Sequence, residues 1–211
     1  MTIRRGLLAL AVVAAATLNL TGCVQGDPHP SAAKTHSASP TPATTYSPVG
    51  NPGNAKPPAN QDEAWVAANR TIKDFLAVQY EIEHDEGANP SRIDAFANGT
   101  ALSGVHQAAA GLAEQGITTR GAPKWSPNAA ASSFGTLIPT EGKPVANGIV
   151  YVKGCYDVSG QTATYANGSA APVSSTRIFP VEFNVEYVPD AKSWMVNNLQ
   201  SILGQAGAPA C

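Results

Sequence analysis

The residues able to do chemistry are few and scattered. Glu81 and His84 form a Glu-x-x-His pair that one helical turn would bring to a common face, with Glu83, Asp85 and Glu86 around it. A bundle-type metal site needs two such pairs and further carboxylates. The chain has one pair, so a solvated acidic helix end is the expected role. His106 precedes an alanine-rich stretch and is expected at the surface or partly packed. The three cysteines, Cys23, Cys155 and Cys211, lack the paired spacing of a zinc site. No Ser-His-Asp order, glycine-rich phosphate loop or His-Glu-x-x-His motif occurs. The residues alone therefore call for no metal, no cofactor and no catalytic assignment.

Charge narrows the partners. With a net charge of −2 and 13% charged residues, the chain has no basic patch to attract nucleic acid, and none is expected as a partner. Its first residues follow a different logic. Arg4 and Arg5 precede an uncharged apolar run over 7–18, which is the layout of a signal peptide. The run is short of the roughly 20 apolar residues that span a bilayer. It ends in Leu20-Thr21-Gly22-Cys23, a tetrad that resembles the lipobox of bacterial lipoproteins. The resemblance implies that residues 1–22 are removed and that the Cys23 thiol carries a diacylglyceryl group. The membrane would then be a partner through the lipid anchor, on the extracytoplasmic face. Each buried acyl CH₂ contributes roughly 0.8 kcal/mol, so two or three chains would hold the protein without a transmembrane helix.

Residues 23–60 are rich in Pro, Ser, Thr, Ala, Asn and Gly, and they hold many of the 17 prolines. Such a segment buries too little apolar surface to offset its ordering entropy. It is expected to be an extended tether with nothing apolar to dock on the domain. With Cys23 given to lipid, an exported chain retains two thiols in an oxidising compartment, and Cys155 is expected to pair with Cys211.

The elements that must position any site begin at residue 61. Asn60 followed by Glu63 is a capping-box-like start, and Trp65, Ala68, Ile72, Phe75, Leu76, Gln79 and Ile82 recur at helical steps until Gly87 and Pro90. A short helix holding Ile93 and Phe96 is expected next. A third helix follows, bearing Leu102, Val105, Ala109 and Leu112 and capped by Gly116. Strands are then predicted over 117–119, 132–138, 148–158, 178–188 and 193–199. The fourth is the clearest, with Val181, Phe183, Val185 and Tyr187 alternating with Glu182, Asn184 and Glu186. Pro189-Asp190-Ala191-Lys192 turns it into the fifth. Helices first and antiparallel strands afterwards indicate an α+β domain over 61–211.

Asn98-Gly99-Thr100-Ala101-Leu102, Cys155-Tyr156-Asp157, the strand Lys192-Ser193-Trp194-Met195-Val196 and a terminal Cys together resemble the NTF2-like (SnoaL/ketosteroid-isomerase-like) superfamily. The similarity is greatest to its secreted and lipoprotein members in actinobacteria. It implies a cone in which a long N-terminal helix and short helices pack on a curved, mostly antiparallel sheet. Relatives that are enzymes place a carboxylate base and a neutral donor in an apolar cavity. Here that implies Asp157 as base, with Tyr80 or Tyr151 as donor, as possible cavity or ligand residues. Trp65, Trp125, Phe179 and Trp194 could line the cone. Two functions follow from the resemblance. The first is a non-enzymatic binding or assembly module of the cell envelope, with an envelope protein as partner. The second is a small-molecule-binding or isomerase/dehydratase-like enzyme.

Overall fold

The computed structural model describes residues 53–211. The signal peptide assigned to 1–22, the lipidation assigned to Cys23 and most of the tether lie outside the described residues. Within 53–211 the chain is α+β, with two helices packed on a mostly antiparallel sheet.

Helix α1 runs Gln61–His84. Asn60 Oδ1 accepts the Glu63 N–H at 2.9 Å, and Glu63 Oε2 accepts the Ala59 N–H at 2.8 Å. The box thus closes one residue before the cap itself, whose own N–H is the usual partner of the glutamate. Ala64, Ala68, Ile72, Phe75, Leu76, Val78 and Ile82 are buried along one side. At its end the Gly87 N–H donates to Ile82 O at 2.8 Å, in a left-handed conformation with φ +79°. A Cβ there would lie 2.0 Å from Ala109 O, so only glycine lets this end press against the second helix.

That helix, α2, runs Gly99–Gln115, and Gly116 closes it in the left-handed cap expected of it. The short element between the helices is a 3-10 turn, Pro90–Ile93, that buries Ile93. It is too brief to hold Phe96, which lies beyond it and is nevertheless buried.

Seven strands follow: β1 (Ile117–Arg120), β2 (Lys124–Pro127), β3 (Ser133–Leu137), β4 (Val145–Asp157), β5 (Thr162–Tyr165), β6 (Ile178–Val188) and β7 (Ser193–Ser201). Strand β4 is the centre of the main sheet. One edge of it pairs with β6, and the other is shared by β3 near its start and β2 near its end. Strand β7 lies beyond β6, while β1 and β5 form a separate ribbon. The chain just before α2 adds to the free edge of β7: Val196 N–H donates to Phe96 O at 2.8 Å and Asn98 N–H to Val196 O at 3.0 Å.

Strands β2 and β5 were not expected. Each is four residues long, β2 ends in a proline and the apolar side of β5 holds only Ala163 and Tyr165, so neither stands out as a strand without its pairing partner. The last part of the tether also departs from expectation. Ala55 N–H donates to Lys192 O at 2.8 Å, Tyr187 Oη donates to Ala55 O at 3.2 Å, and Ala55 packs against the core. Backbone hydrogen bonds rather than large apolar side chains fasten this segment, a signal that composition does not carry.

On β6, Val181, Phe183, Val185 and Tyr187 are buried, and they face α1. Between Asn184 and Val185 the register with β7 slips, leaving Asn197 as the extra residue of a bulge. The motif Asn98-Gly99-Thr100 docks there. Asn98 Nδ2 donates to Glu186 Oε1 at 2.5 Å, as does Asn197 Nδ2 at 3.1 Å, and Thr100 Oγ1 lies 2.8 Å from Asn198 Oδ1. Cys155 and Cys211 are disulfide-bonded with Cα atoms 5.6 Å apart and a sequence separation of 56. Chain-entropy reasoning gives such a loop about 4 kcal/mol.

Candidate functional site

The residues implied by the resemblance do not meet. Tyr151 and Asp157 lie on the face of β4 opposite to Val150 and Val152, whose side chains are buried against α1. Six residues apart on one strand, they are separated by about 20 Å. Tyr80 sits on α1, with its ring centroid 5.8 Å from that of His84.

Asp157 is held by its own turn: Oδ1 accepts the Ser159 N–H at 2.8 Å. Hydrogen bonds from Ser159, aided by the charges of Lys124 and Arg177, hold its carboxyl below the ordinary aspartate value. A carboxylate so stabilised is a poor proton acceptor at neutral pH. The following loop is fastened by the Arg177 guanidinium, which donates to Val158 O and Gln161 O.

At the helix end His84 Nδ1 lies 3.1 Å from Thr119 O, and Arg92 Nη2 donates to Asp85 Oδ2 at 2.9 Å and to the backbone carbonyl of Glu81. His106 is exposed and pairs with Asp94 at 2.9 Å. Among the described residues no group of three or more His, Cys, Asp or Glu could hold a metal ion.

The polar residues that do turn inward are different ones. Glu83, expected to be part of a solvated acidic end, is desolvated, and burial raises its carboxyl above the ordinary glutamate value. It accepts a hydrogen bond from Gln79 Nε2 at 2.8 Å. Burial and, secondly, the charge of Glu83 push the Tyr156 phenol far above its ordinary value. Both groups are thereby biased toward their protonated forms. The signal was present in the sequence: Phe75, Gln79 and Glu83 follow one another at four-residue steps, so Glu83 continues the buried stripe.

An aromatic wall stands beside this pair. The register sets Trp125 opposite Tyr156 and Tyr156 opposite Phe179. Ring centroids are 4.9 Å apart for Trp125–Phe183, 6.2 Å for Phe75–Phe183 and 5.7 Å for Tyr156–Phe179, all edge-to-face. Gly154 admits the indole, since a Cβ there would lie 2.5 Å from Trp125 Cη2. Trp125 Nε1 and Gln79 Oε1 are buried without hydrogen-bond partners among the described residues. Of the aromatics expected to line a cone, Trp125, Phe179 and Trp194 pack in or against the core, and Trp65 is half-buried beside it.

At the other end of α1 lies an open groove of about 610 Å³. Residues 54–58 form one wall and the first half of α1 the other, with Phe96, Ser193 and Trp194 between them. Ser193 Oγ is buried without a hydrogen-bond partner among the described residues.

The outer face of the sheet carries the other charges. Glu182 lies 3.8 Å from Lys153 Nζ and accepts from Gln200 Nε2 at 3.1 Å, whereas Glu186 is committed to Asn98 and Asn197. Among the described residues no helix is long and apolar enough to cross a membrane.

No family model matches the chain, and no curated protein matches it. Among solved structures it is similar to the intermembrane space region of the chloroplast protein ARC6. The two share 11% identity at a TM-score of 0.40, over 65% of this chain and 95% of that one. A likeness of that size lends no weight to any reading of function.

Proposed function

We propose that the chain is an exported lipoprotein, held on the outer face of the cell membrane by a lipid on Cys23. Its domain, an NTF2-like cone, would serve as a non-enzymatic binding or assembly module of the cell envelope. The anchor rests on the order of charge, apolar run and Leu-Thr-Gly-Cys tetrad. The module reading is carried by one observation: the rings of Phe75, Phe183 and Trp125 fill the space between the second half of α1 and the sheet. With that interior taken up by its own aromatics, recognition is left to the surfaces, the open groove beside the first half of α1 among them, and a protein partner is the occupant they suit.

The alternative, a small-molecule-binding or isomerase/dehydratase-like role, has a specific observation on its side. Glu83 and Tyr156 are inward-facing, shifted toward protonation, and accompanied by Gln79 Oε1 and Trp125 Nε1, which have no hydrogen-bond partner among the described residues.

Complementation of a deletion strain separates the two. Asp157→Asn and Glu83→Gln are expected to complement, while Glu182→Lys on the outer face is expected to weaken the role and reduce capture of the partner after crosslinking. Glu186 is unsuited to that arm, because reversing its charge would unfasten α2. Loss of complementation by a folded, exported Glu83→Gln protein, with Glu182→Lys unaffected, would overturn the module reading. The anchor is tested by labelling with an alkyne fatty acid. The signal is expected to vanish in Cys23→Ala, and an equal signal in both proteins removes the lipoprotein assignment.

A further inference from the structure

Among the described residues, the groove beside the first half of α1 has a buried floor and a charged mouth. Thr71, Asp74, Phe96, Ser193 and Trp194 are its buried lining. Val66, 67% exposed, and Ala67 stand on one side, with Pro57 and Pro58 on the other. Lys56, Asp62, Glu63 and Arg70 are exposed around the opening. A volume of about 610 Å³ takes one large side chain with part of its backbone.

Two hydroxyls set the hydrogen bonding inside. Ser193 is only 3% exposed, and its Oγ has no hydrogen-bond partner among the described residues. A buried hydroxyl in that state is costly, so an entering group that bonds it gains more than its own contact. Thr71 Oγ1 donates to Ala67 O at 3.0 Å, which leaves only its acceptor capacity. The pair suits a group that both donates and accepts. Charge sets the rest. The acids Asp62, Glu63 and Asp74 stand against the bases Lys56 and Arg70, and Glu63 Oε2 already accepts the Ala59 N–H. With the signs so nearly balanced, neither an anion nor a cation is favoured, and the seated group is uncharged. Pro57 and Pro58 lack N–H groups, so their wall is a poor template for strand addition and recognition falls to a side chain. Among uncharged side chains, tyrosine alone joins a large apolar body to a group that donates and accepts. Tryptophan only donates, and serine and threonine are too small to cover Val66.

We infer that the groove seats a tyrosine side chain presented by an extended segment of the envelope partner. The ring lies between Val66 and the two prolines, over Phe96 and Trp194, and the phenol bonds Ser193 and Thr71. The inference rests on the reading of the domain as a protein-binding module and names what the partner presents to it.

The test is calorimetric titration of the full mature chain in lipid nanodiscs with the acetylated, amidated peptide Gly-Ala-Tyr-Ala-Gly, and with the same peptide carrying Phe or Trp at its centre. The tyrosine peptide is expected to bind with a Kd at or below about 1 mM, at least about fivefold more tightly than the other two. Ser193→Ala removes a hydroxyl without a described partner, so it is expected to keep its urea midpoint and to lose the preference for tyrosine. Val66→Glu is expected to weaken the tyrosine peptide, and Glu182→Lys on the outer face to leave it unchanged. The proposal is overturned by the absence of saturable binding, by equal affinity for the Tyr and Phe peptides, or by a preference that persists in Ser193→Ala. It is also overturned if native mass spectrometry finds a co-purifying small molecule that must be removed before any peptide binds. Peptide failure alongside lost complementation by Glu182→Lys removes the tyrosine seat and leaves the module reading standing.

Discussion

At its second half α1 turns Gln79 and Glu83 toward Tyr156, in the company of Trp125 and Phe179, and the space is filled. At its first half the same helix presents Val66 and Ala67 to an open groove. Both halves face the same sheet, so helical periodicity alone does not make the difference. It comes from what stands opposite. Strands β2, β4 and β6 bring three large rings to one end, and Gly154 makes room for the indole. At the other end the facing position is the small Ser193, and residues 54–58 stand off as a separate wall. A helix buries what its neighbours reach, and what they do not reach stays available for a ligand or a chain.

The filled half is broken most sharply by Phe183→Ala. Phe183 is fully buried and its ring meets both Phe75 and Trp125, so truncation is expected to cost about 3–5 kcal/mol in urea unfolding. A loss below about 1 kcal/mol would mean that the rings do not hold this half together.

Next in size is Cys211→Ser. It removes the only disulfide among the described residues and frees the tail that Ile202 N–H fastens to Pro180 O. A loss of about 2–5 kcal/mol is expected, together with a reactive Cys155 thiol seen by alkylation and mass spectrometry. Two alkylatable thiols in freshly purified, unreduced wild type would contradict the bond.

The smallest effect is the most specific. Burial raises the folded-state value of Glu83 above its unfolded one, so its contribution favours folding below the unfolded value and is lost as pH rises through the folded one. Glu83→Gln carries no charge at any pH and can still accept the Gln79 hydrogen bond. It is expected to raise the urea midpoint at pH 7 modestly, with the gain disappearing near pH 4. An equal gain at both values would place Glu83 in solvent, and the contrast between the two halves of α1 would fail.

Much of this architecture was legible in the residues themselves. The cap at Asn60, the stripe of α1, the left-handed stop at Gly116 and the alternation of β6 follow from local geometry, which the order of side chains sets directly. The Cys155–Cys211 pair followed from the count of thiols once Cys23 was expected to carry lipid. Tertiary structure alone decided what each residue faces. Asp157 and Tyr151 share a strand yet point away from the helix. Glu83 looks like one of several acids at a helix end until Tyr156 is set against it. Ala55 belongs to a stretch whose composition speaks of a tether, and it joins the domain through backbone hydrogen bonds. Strands β2 and β5 are too short for a pattern to stand out and exist because a neighbour supplies the other half of each ladder. Sequence determines the periodicities because they arise within a few residues. Long-range pairing determines the site, because burial and hydrogen-bond partners are properties of the neighbours and not of the residue.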